Sequence, residues 1–350
     1  MNGRLLIVCQ AVDEQHSNLG FFVRWIELFA REYEYVTVIA NEVGTYTLPE
    51  NVAVFSLGKE VGSSRLVRYA RFISYILGFS SLYDRVFCHM NPEFVLAGAW
   101  WWRLSGKRIA LWYVHGTVSA RLRAALALVN AVCTTNVESF RIESPKVHRL
   151  GHGIDTDFFV PQERDDEPVL RMVSVSRIAP SKRIERIIAA AVALKQSGVP
   201  VSLSIIGGAL TLAESAYEAE VRSTASQYPF VRFIGAVPHD RVRDSVGASD
   251  VFINVSTTGS MDKAVLEAMA LGVVPLSTNP AFKALLEPHG LFVSDGTVAG
   301  LVAALQRLLA RTDRETLVRT LREHIVLQHN LATLIPKIVT VLDGKRALHR

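Results

Sequence analysis

The sequence predicts an α/β protein with two doubly wound parallel-sheet domains, and three observations support this class. Short apolar runs alternate with helical patterns, as in chains built from strand–helix–strand units. The alternation starts again near residue 170, after a polar, charged segment at residues 161–168 that we expect to be a linker. The 350 residues are enough for two domains that each bury a core. We assign residues 1–160 and 161–350 to these domains and expect the last helix to pack back on the first domain.

The first half opens on a short apolar run at residues 5–9, typical of a parallel strand buried on both faces. In the helix predicted at 66–77, the spacing places one apolar face inward and Arg68 and Arg71 on the opposite side. That apolar face comprises Leu66, Tyr69, Ala70, Ile73, Ile76 and Leu77. Further strands are predicted at 36–40, 52–56, 85–89, 108–113, 132–135 and 147–150, and further helices at 21–29 and 93–104.

The second half repeats the pattern. Its predicted strands cover 170–176, 201–206, 231–234, 251–255 and 274–277, and its predicted helices cover 181–196, 239–248, 262–272, 298–310 and 314–342. Ligands of open parallel sheets bind at the carboxyl ends of the strands. The candidate residues described below lie there, so we expect the active site in a cleft between the domains.

Composition restricts the classes of function. With 49% hydrophobic and 20% charged residues, the chain is globular. Cys9, Cys88 and Cys133 are far apart, as expected of buried thiols in a reducing compartment. The first apolar run is too short for a signal peptide, and no run reaches the ~18 residues of a membrane helix. We therefore expect a cytoplasmic protein, with peripheral attachment to the inner face of the membrane left open.

A basic stretch at residues 61–137 carries nine arginines and lysines against only Asp84 and Glu93. Such a patch favours an anionic partner, with an ordinary solvated face as the alternative. The helix at 66–77 and residues 100–102, three consecutive tryptophans, are candidates for contact with an anionic membrane surface or a lipid carrier, although one or two tryptophans fit a core equally well. The stretch lacks a nucleic-acid-reading module, so no nucleic-acid partner is expected.

The most informative segment is residues 249–272, where an apolar strand enters a small polar loop and then a helix from about Asp262 to Gly272. The first N–H groups of such a helix are available to phosphate or sugar oxygens. Glu267 lies one turn into the helix, among apolar neighbours that do not explain a carboxylate. The alternative is a surface carboxylate near the favourable end of the helix dipole.

Arg177 and Lys182 follow the first strand of the second half, around the entry to a helix. Two cations at that position, together with the helix dipole, are typical of a pyrophosphate site. The alternative for Lys182 is a solvated residue of the first helical turn. No G-x-G-x-x-G follows either opening strand, which argues against a nicotinamide-dependent dehydrogenase.

Together these segments resemble the family 4 (group 1) retaining glycosyltransferases over most of residues 150–280. Arg177 and Lys182 keep the spacing of that family, although Ser176 stands where the family has a glycine. The other matching segments are Gly207-Gly208 at a strand end, 233–237 along the nucleotide base, 266–272 in the donor helix, and 151–155 with Phe158 in the interdomain signature.

The resemblance implies a GT-B architecture: an acceptor-side Rossmann-like domain at 1–160 facing a donor-binding one at 161–350 across a cleft. It implies that Arg177 and Lys182 neutralise the donor diphosphate, that Glu267 accepts hydrogen bonds from ribose hydroxyls, and that the loop 257–263 holds the sugar. Catalytic candidates are His115, Arg177 and Lys182. Donor-binding candidates are Gly20, Gly207, Gly235, Val237, Thr258, Gly259, Ser260, Met261, Asp262, Lys263 and Glu267.

One position departs from the family. A glutamate that contacts the sugar usually stands eight residues before Glu267, where this chain has Gly259. Asp262 is the nearest replacement, and Lys263 adds a cation. Two explanations are open: a subfamily that holds the sugar through backbone amides and Asp262, or a degenerate site without turnover.

The first half offers weaker candidates. Gly20 is the plausible remnant of the family's glycine-rich loop, and Asp13 either orients an acceptor hydroxyl or caps that loop. His115, after a strand, either approaches the transferred sugar or closes the strand end. His89 is a further acceptor candidate, and His152 has a structural role in bridging domains.

The implied activity is hexosyltransferase-like: transfer of a sugar from a nucleotide-diphosphate sugar to a hydroxyl of a glycan or lipid-linked acceptor. In that family's front-face mechanism, the leaving diphosphate accepts the proton. Asp155 and Asp157 form a D-x-D pattern outside the donor loop, so we expect no metal and no cofactor besides the donor substrate. The alternatives are a non-catalytic sugar-nucleotide binder and a GT-B epimerase or phosphorylase.

Overall fold

The computed structural model describes residues 3–164 and 168–345, which form two compact units. Unit 1 comprises the described chain up to Gly153 together with the part from His329 onward, and unit 2 comprises Ile154–Gln328. The chain therefore passes from one unit to the other before the predicted boundary at 160/161. Residues 165–167 of the predicted linker lie outside the described residues. Its described part belongs to unit 2, where Arg164 donates to the carbonyl groups of Leu271 and Gly272.

The elements alternate as predicted. The strands are β1 (Arg4–Val12), β2 (Tyr35–Val43), β3 (Val52–Ser56), β4 (Arg85–His89), β5 (Arg108–Trp112), β6 (Ala131–Thr134), β7 (Val147–Arg149), β8 (Leu170–Val175), β9 (Val201–Ile206), β10 (Val231–Gly235), β11 (Val251–Asn254) and β12 (Val274–Ser277). The helices are α1 (Phe21–Glu32), α2 (Arg65–Gly78), α3 (Pro92–Leu104), α4 (Ala120–Leu128), α5 (Ile184–Gln196), α6 (Leu212–Ala225), α7 (His239–Gly247), α8 (Lys263–Ala270), α9 (Lys283–Leu286), α10 (Val298–Leu309), α11 (Arg314–His329) and α12 (Leu331–Leu342).

Unit 1 is built on a seven-stranded parallel sheet in the order β3-β2-β1-β4-β5-β6-β7. One face of the sheet packs against α1 and the last helix, α12, in a shared apolar core. The other face packs against α2, α3 and α4. Both faces are covered because β1, β4 and β5 are apolar on both sides, as in other doubly wound sheets.

Unit 2 has a five-stranded parallel sheet in the order β10-β9-β8-β11-β12. Its core includes the apolar faces of α5, α8 and α10, packed on the strands. The strand order runs outward from β8, to β9 and β10 on one side and to β11 and β12 on the other. The predicted α/β class with two doubly wound parallel sheets is therefore confirmed. The carboxyl ends of all five strands meet at one edge of this sheet, and that edge carries the polar loops described below.

Helices α4, α6 and α9 were not predicted, and two helices were predicted as one. The helix predicted at 314–342 is two helices, divided at Asn330, whose side chain accepts from the N–H of Ala332 and starts α12. Helix α6 begins with a capping box in which Thr211 and Glu214 bond to each other's backbone N–H groups. That T-x-x-E pattern is a sequence signal for a helix start.

The predicted orientation of α2 is wrong. Arg68 and Arg71 point inward, donating to Oδ1 of Asn41 (2.6 Å) and to the carbonyl of Leu57 (3.0 Å). Phe72 and Ile76 alone anchor the helix as fully buried residues. The guanidinium groups satisfy polar groups at the ends of neighbouring strands, so most of the predicted apolar face is left outside.

The basic stretch is likewise less exposed than its sequence suggests. Seven of its nine cations have partners within unit 1, among them Arg103, which donates to the carbonyl of Leu128, and Arg121, which pairs with Glu93. Besides Arg68 and Arg71, Arg85 pairs with Asp343, Arg108 donates to the carbonyl of Leu342, and Lys107 donates to two carbonyl groups. The exposed members are Arg65, Arg103, Arg121 and Arg123.

The tryptophan run is divided between core and surface. Trp102 is fully buried against Phe72, whereas Trp100 is exposed. The three cysteines are buried and reduced, and burial raises the pKa of each thiol. Within the described ranges, no helix is both long enough and apolar enough to cross a bilayer.

Candidate functional site

The carboxyl edge of the unit 2 sheet collects most of the predicted donor-binding residues. Arg177 and Lys182 follow β8, Gly207 follows β9, and Gly235 ends β10. The loop 255–262 leaves β11 and enters α8. Because parallel strands point the same way, residues separated by up to 80 positions become neighbours here.

Lys182 is buried, with 8% of its surface exposed, so the solvated alternative for this residue is wrong. Its Nζ lies 2.6 Å from Oδ1 of Asp262 and 3.2 Å from Oγ of Ser256. Arg183, with a left-handed φ of +47°, turns the chain into α5 directly after Lys182. The ammonium group is thereby held against the loop that follows β11.

Asp262 is engaged through both carboxylate oxygens. Oδ1 accepts from Lys182, while Oδ2 accepts from the side-chain amides of Asn254 (2.9 Å) and Asn279 (3.2 Å). Asn254 in turn accepts from the hydroxyl of Ser277 at the end of β12. Asp262 thus connects three strand ends and orients Lys182, a structural role that its position in the sequence did not indicate.

Gly259 is buried and has a φ of +70°, in the left-handed region that favours glycine. The departure from the family therefore extends to the backbone, because a glutamate at this position would be strained. Beside it, the hydroxyl group of Thr258 lies within hydrogen-bond distance of the hydroxyl groups of Ser256 and Ser260. These side chains give the loop internal support.

Glu267 is 4% exposed, so the alternative of a surface carboxylate is wrong. Its Oε1 accepts from Nε2 of His239 (2.7 Å) and from Nζ of Lys263 (3.0 Å). Burial alone would raise the pKa of this carboxyl, but the charges and hydrogen bonds of Lys263 and His239 hold it well below its usual range. Glu267 is therefore an ionised, oriented acceptor.

His239 was not predicted as a site residue. It starts α7, and its ring packs against Phe159 with centroids 5.4 Å apart. Its bond to Glu267 joins residues 28 positions apart on different helices. No local sequence pattern reveals such a contact.

Arg177 is exposed and pairs with Glu214, with 3.2 Å between Nη1 and Oε1. Glu214 is held by its second oxygen, which accepts from the N–H groups of Leu210 and Thr211 at the start of α6. This carboxylate was also missed. It positions Arg177 at the edge of the sheet while leaving the guanidinium accessible to solvent.

Each of the three site cations therefore has its own carboxylate: Arg177 with Glu214, Lys182 with Asp262, and Lys263 with Glu267. The cations are preorganised rather than mobile. A diphosphate that binds here meets oriented donors, and it must share them with the carboxylates that hold them.

The glycines at the neighbouring strand ends permit close backbone packing. A Cβ atom on Gly207, whose φ is +128°, would lie 1.8 Å from the carbonyl oxygen of Ser176. The N–H of Gly207 donates to the carbonyl of Gly235, which has a φ of +88°. Val237, which follows, and Met261 are half-buried and pack against the unit 2 core. Their contact with a nucleotide or sugar remains a prediction.

In unit 1, His115 is exposed beyond β5, and its Nδ1 accepts from the N–H of Thr117 (3.1 Å). In the neutral ring this places the proton on Nε2, which is then a donor. Asp13 caps its loop by accepting from the N–H of Gln15 (3.1 Å). At Gly20, a Cβ atom would lie 2.6 Å from the carbonyl oxygen of Glu14, so glycine is required by close approach of the loop.

The acceptor role predicted for His89 does not fit its surroundings. His89 is 3% exposed and stacks on Phe22, with ring centroids 4.1 Å apart, inside a cluster that includes Phe21 and Trp25. An imidazole enclosed by aromatic rings is unavailable to a substrate hydroxyl. His152 has a structural contact: its backbone N–H donates to Nδ1 of His329.

The D-x-D pattern forms a turn. Oδ1 of Asp155 accepts from the N–H groups of Asp157 and Phe158, both at 3.2 Å. Over residues 3–164 and 168–345, no group of three or more histidine, cysteine, aspartate or glutamate side chains is placed to hold a metal ion. The metal-free chemistry stays a prediction.

A family model described as "Glycosyl transferases group 1" matches residues 170–311. The GDP-mannose-dependent alpha-mannosyltransferase of Mycobacterium tuberculosis (strain CDC 1551 / Oshkosh) is 28% identical over 214 residues, covering 54% of this chain and 52% of that protein. The enzyme of the same name from Mycolicibacterium smegmatis is 28% identical over 193 residues, covering 51% and 47%. The chain thus spans about half the length of the curated relatives it matches.

Solved structures match over nearly the whole chain. Anabaena Alr3699/HepE in complex with UDP-glucose gives a TM-score of 0.76 at 15% identity, covering 97% of this chain and 99% of that one. The sucrose-phosphate synthase of Thermosynechococcus elongatus gives 0.75 at 16% identity, covering 97% and 99%. At these identities the likeness concerns the fold. The described chain shares the GT-B fold of these structures, and its residues 170–311 match the group 1 glycosyltransferase model, in agreement with the sequence motifs.

Proposed function

We propose that this protein is a retaining glycosyltransferase that moves a sugar from a nucleotide-diphosphate donor to a hydroxyl of a glycan or lipid-linked acceptor. The observation that carries the proposal is the set of Arg177, Lys182 and Glu267 at one edge of the unit 2 sheet, each held by an ion pair. Two oriented cations and one oriented carboxylate match the diphosphate and ribose ends of such a donor.

At the diphosphate end, Lys182 and Arg177 would donate to the phosphate oxygens. As the bond between the anomeric carbon and the diphosphate breaks, negative charge grows on the leaving group, and fixed cations stabilise it. The acceptor oxygen forms the new bond to the anomeric carbon on the same face, and its proton passes to the departing diphosphate. Asp262 and Glu214 keep the two cations in place for that step.

At the ribose end, ionised Glu267 would accept hydrogen bonds from the hydroxyl groups. His239 and Lys263 hold its Oε1, so the carboxylate is oriented before the nucleotide arrives. Preorganisation of this kind reduces the ordering cost of binding. His239 is in this scheme a positioning residue for Glu267.

The names of similar proteins support a choice of donor class. Two curated relatives are named GDP-mannose-dependent mannosyltransferases, and one structural neighbour holds UDP-glucose. We propose a nucleoside-diphosphate hexose as donor, with GDP-mannose and UDP-glucose as the first compounds to test.

The test begins with thermal-shift and calorimetric titration of UDP, GDP and their hexose conjugates, since a specific ligand stabilises the native state. Transfer is then followed as nucleoside diphosphate released in the presence of glycan and lipid-linked acceptors, with NMR of the product giving the anomeric configuration. We expect binding, acceptor-dependent release, retention, and the same rate with and without EDTA. Inversion, or loss of activity in EDTA, would contradict the mechanism.

A second candidate function is sugar-nucleotide binding without turnover. It is favoured by one observation, the buried, left-handed Gly259 at the place where the family has a sugar-contacting glutamate. Calorimetry distinguishes the two. Nucleotide binding accompanied by no transfer to any acceptor of the panel would support the binder and count against the enzyme.

A further inference from the structure

Helix α2 presents an apolar stripe to solvent. Leu66 and Tyr69 are 78% and 54% exposed, and the exposed Leu77 and Ala70 lie on the same side of the helix. In an ordinary surface helix these positions would face the core. Here the inward-pointing Arg68 and Arg71 take part of that side, so Leu66, Tyr69 and Ala70 are left exposed while Ile73 and Ile76 still pack on the core.

Helix α3 extends this surface. Trp100 is 47% exposed and Leu104, four residues later on the same side, is 78% exposed. The two helices are packed together, because Phe72 of α2 contacts both Phe94 and Trp102 of α3. They cover the same face of the seven-stranded sheet, so their outer apolar residues form one surface.

The same layer is strongly basic. Helices α2, α3 and α4 together contain six arginines, whereas Glu93 is their one acidic residue. Four of the arginines are exposed: Arg65, Arg103, Arg121 and Arg123. Arg121 lies 3.2 Å from Glu93, which itself is exposed. We call the outer surface of these three helices the α2–α4 face.

We propose that the α2–α4 face docks on an anionic phospholipid bilayer. Leucine, tyrosine and tryptophan side chains would enter the interfacial layer, and the arginines around them would meet lipid phosphates. The positive charge of the α2–α4 face favours an anionic bilayer over a second copy of the chain as its binding partner. Two such faces brought together would oppose arginine to arginine, whereas an anionic bilayer is complementary.

The apolar stripe, rather than the basic stretch as a whole, would supply most of the binding. Seven of the nine cations of residues 61–137 have partners inside the unit, so few of them are available to bind lipid phosphates by charge alone. Two signals, apolar burial and a few arginines, are the usual requirement for stable peripheral binding. The proposal is independent of the sugar-transfer activity, although a bound bilayer would bring lipid-linked acceptors close.

The experiment is flotation of the full chain with vesicles of phosphatidylcholine, with and without phosphatidylglycerol. We expect binding to the anionic vesicles and a blue shift of tryptophan emission. A double variant, Leu66→Ser with Trp100→Ser, should lower the partition coefficient by about tenfold or more, since each residue loses burial in the interface. A second double variant, Arg121→Glu with Arg123→Glu, should remove most of the preference for anionic lipid.

The matched control is Leu327→Ser, an exposed leucine of α11 in unit 2, which should bind like the wild type. All substituted side chains are exposed, and unchanged melting temperatures and nucleotide binding confirm that each variant is folded. Failure to bind anionic vesicles would overturn the proposal. So would equal binding by the Leu66→Ser/Trp100→Ser variant, or a concentration-dependent dimer that the same variant dissociates.

Discussion

The polar residues that follow the strands have different roles in the two units. In unit 2, Arg177, Lys182 and Glu267 lie at one edge of a sheet, and each is held by a carboxylate or a cation that the sequence did not assign to it. In unit 1, Asp13 caps a loop, and His89 is enclosed by aromatic rings. The difference teaches that a polar residue after a strand becomes a site candidate when neighbouring strand ends supply partners that orient it and leave it reachable.

The largest expected effect concerns Lys182. Replacing it with alanine leaves Asp262 without its cation and the diphosphate without a donor, so we expect at least about a 100-fold loss of kcat/KM. We also expect a loss of about 3 kcal/mol in the free energy of unfolding, because removing one partner of a buried pair leaves the other charge buried and uncompensated. Steady-state kinetics and chemical denaturation measure the two losses separately.

The control is the double variant Lys182→Met with Asp262→Asn, which removes both charges. It should recover much of the stability while activity remains lost. If activity also recovered, the pair of Lys182 and Asp262 would be purely structural, as the contacts of Asp13 and His89 are in unit 1.

The next largest effect distinguishes two of the histidines of unit 1, His115 and His89. His115 is exposed with Nε2 as a donor, whereas His89 is buried. We expect His115→Ala to lower kcat by about 10- to 100-fold with little change in melting temperature, as for loss of a group acting in the transition state. His89→Ala should instead lower the melting temperature, and nucleotide binding by unit 2 should be unaffected in both variants. A loss of stability in His115→Ala, or a loss of kcat without loss of stability in His89→Ala, would contradict these roles.

A smaller effect is expected at Glu267. Glu267→Gln keeps the shape but removes the charged acceptor, and nucleotide affinity should fall about tenfold by calorimetry. Because the folded-state pKa of Glu267 is held below its usual value, the ionised form contributes stability that is complete above about pH 4.5, the ordinary pKa of glutamate, and is lost as pH falls toward the depressed folded-state value. The melting temperature of the wild type should therefore decline more steeply in acid than that of Glu267→Gln. Parallel curves would show that Glu267 is not the stabilising group.

The smallest effect is expected at Gly259. Substitution with alanine or glutamate forces a side chain into the left-handed region and should cost about 1–2 kcal/mol of unfolding free energy. Gly259→Glu should lower activity, although it restores the residue type of the family. Gly78, in α2, has open space around the position of a Cβ atom, and Gly78→Ala is the control expected to be neutral. A gain of activity in Gly259→Glu would indicate a degenerate but recoverable sugar site.

Much of the architecture could be predicted because parallel strands buried on both faces appear as uninterrupted apolar runs, as in β1 and β4. Helix α2 shows the limit of such patterns. Its apolar periodicity was correct, but periodicity does not state which side the protein covers. Arg68 and Arg71 have acceptors on the sheet side, and this orientation leaves Leu66, Tyr69 and Ala70 facing outward.

The site shows the same limit at longer range. Spacing and residue type were sufficient to select Arg177, Lys182 and Glu267. Their partners Glu214, Asp262 and His239 lie 28 to 80 positions away on other elements. Contacts of that separation exist only after the strands have paired, so no local pattern contains them.

The sequence by itself determined the α/β class, the two parallel sheets and the cationic and acidic residues that we propose for a nucleotide-sugar site, because these depend on local periodicity and on spacing after strands. Tertiary structure decided which polar groups became partners: Asp262 holds Lys182, His239 holds Glu267, and His89 is enclosed in a core. It also left the apolar stripe of α2 outside. The physical reason is that burial and pairing depend on what lies across the fold, and a buried charge or polar group is stable only where the fold supplies its partner.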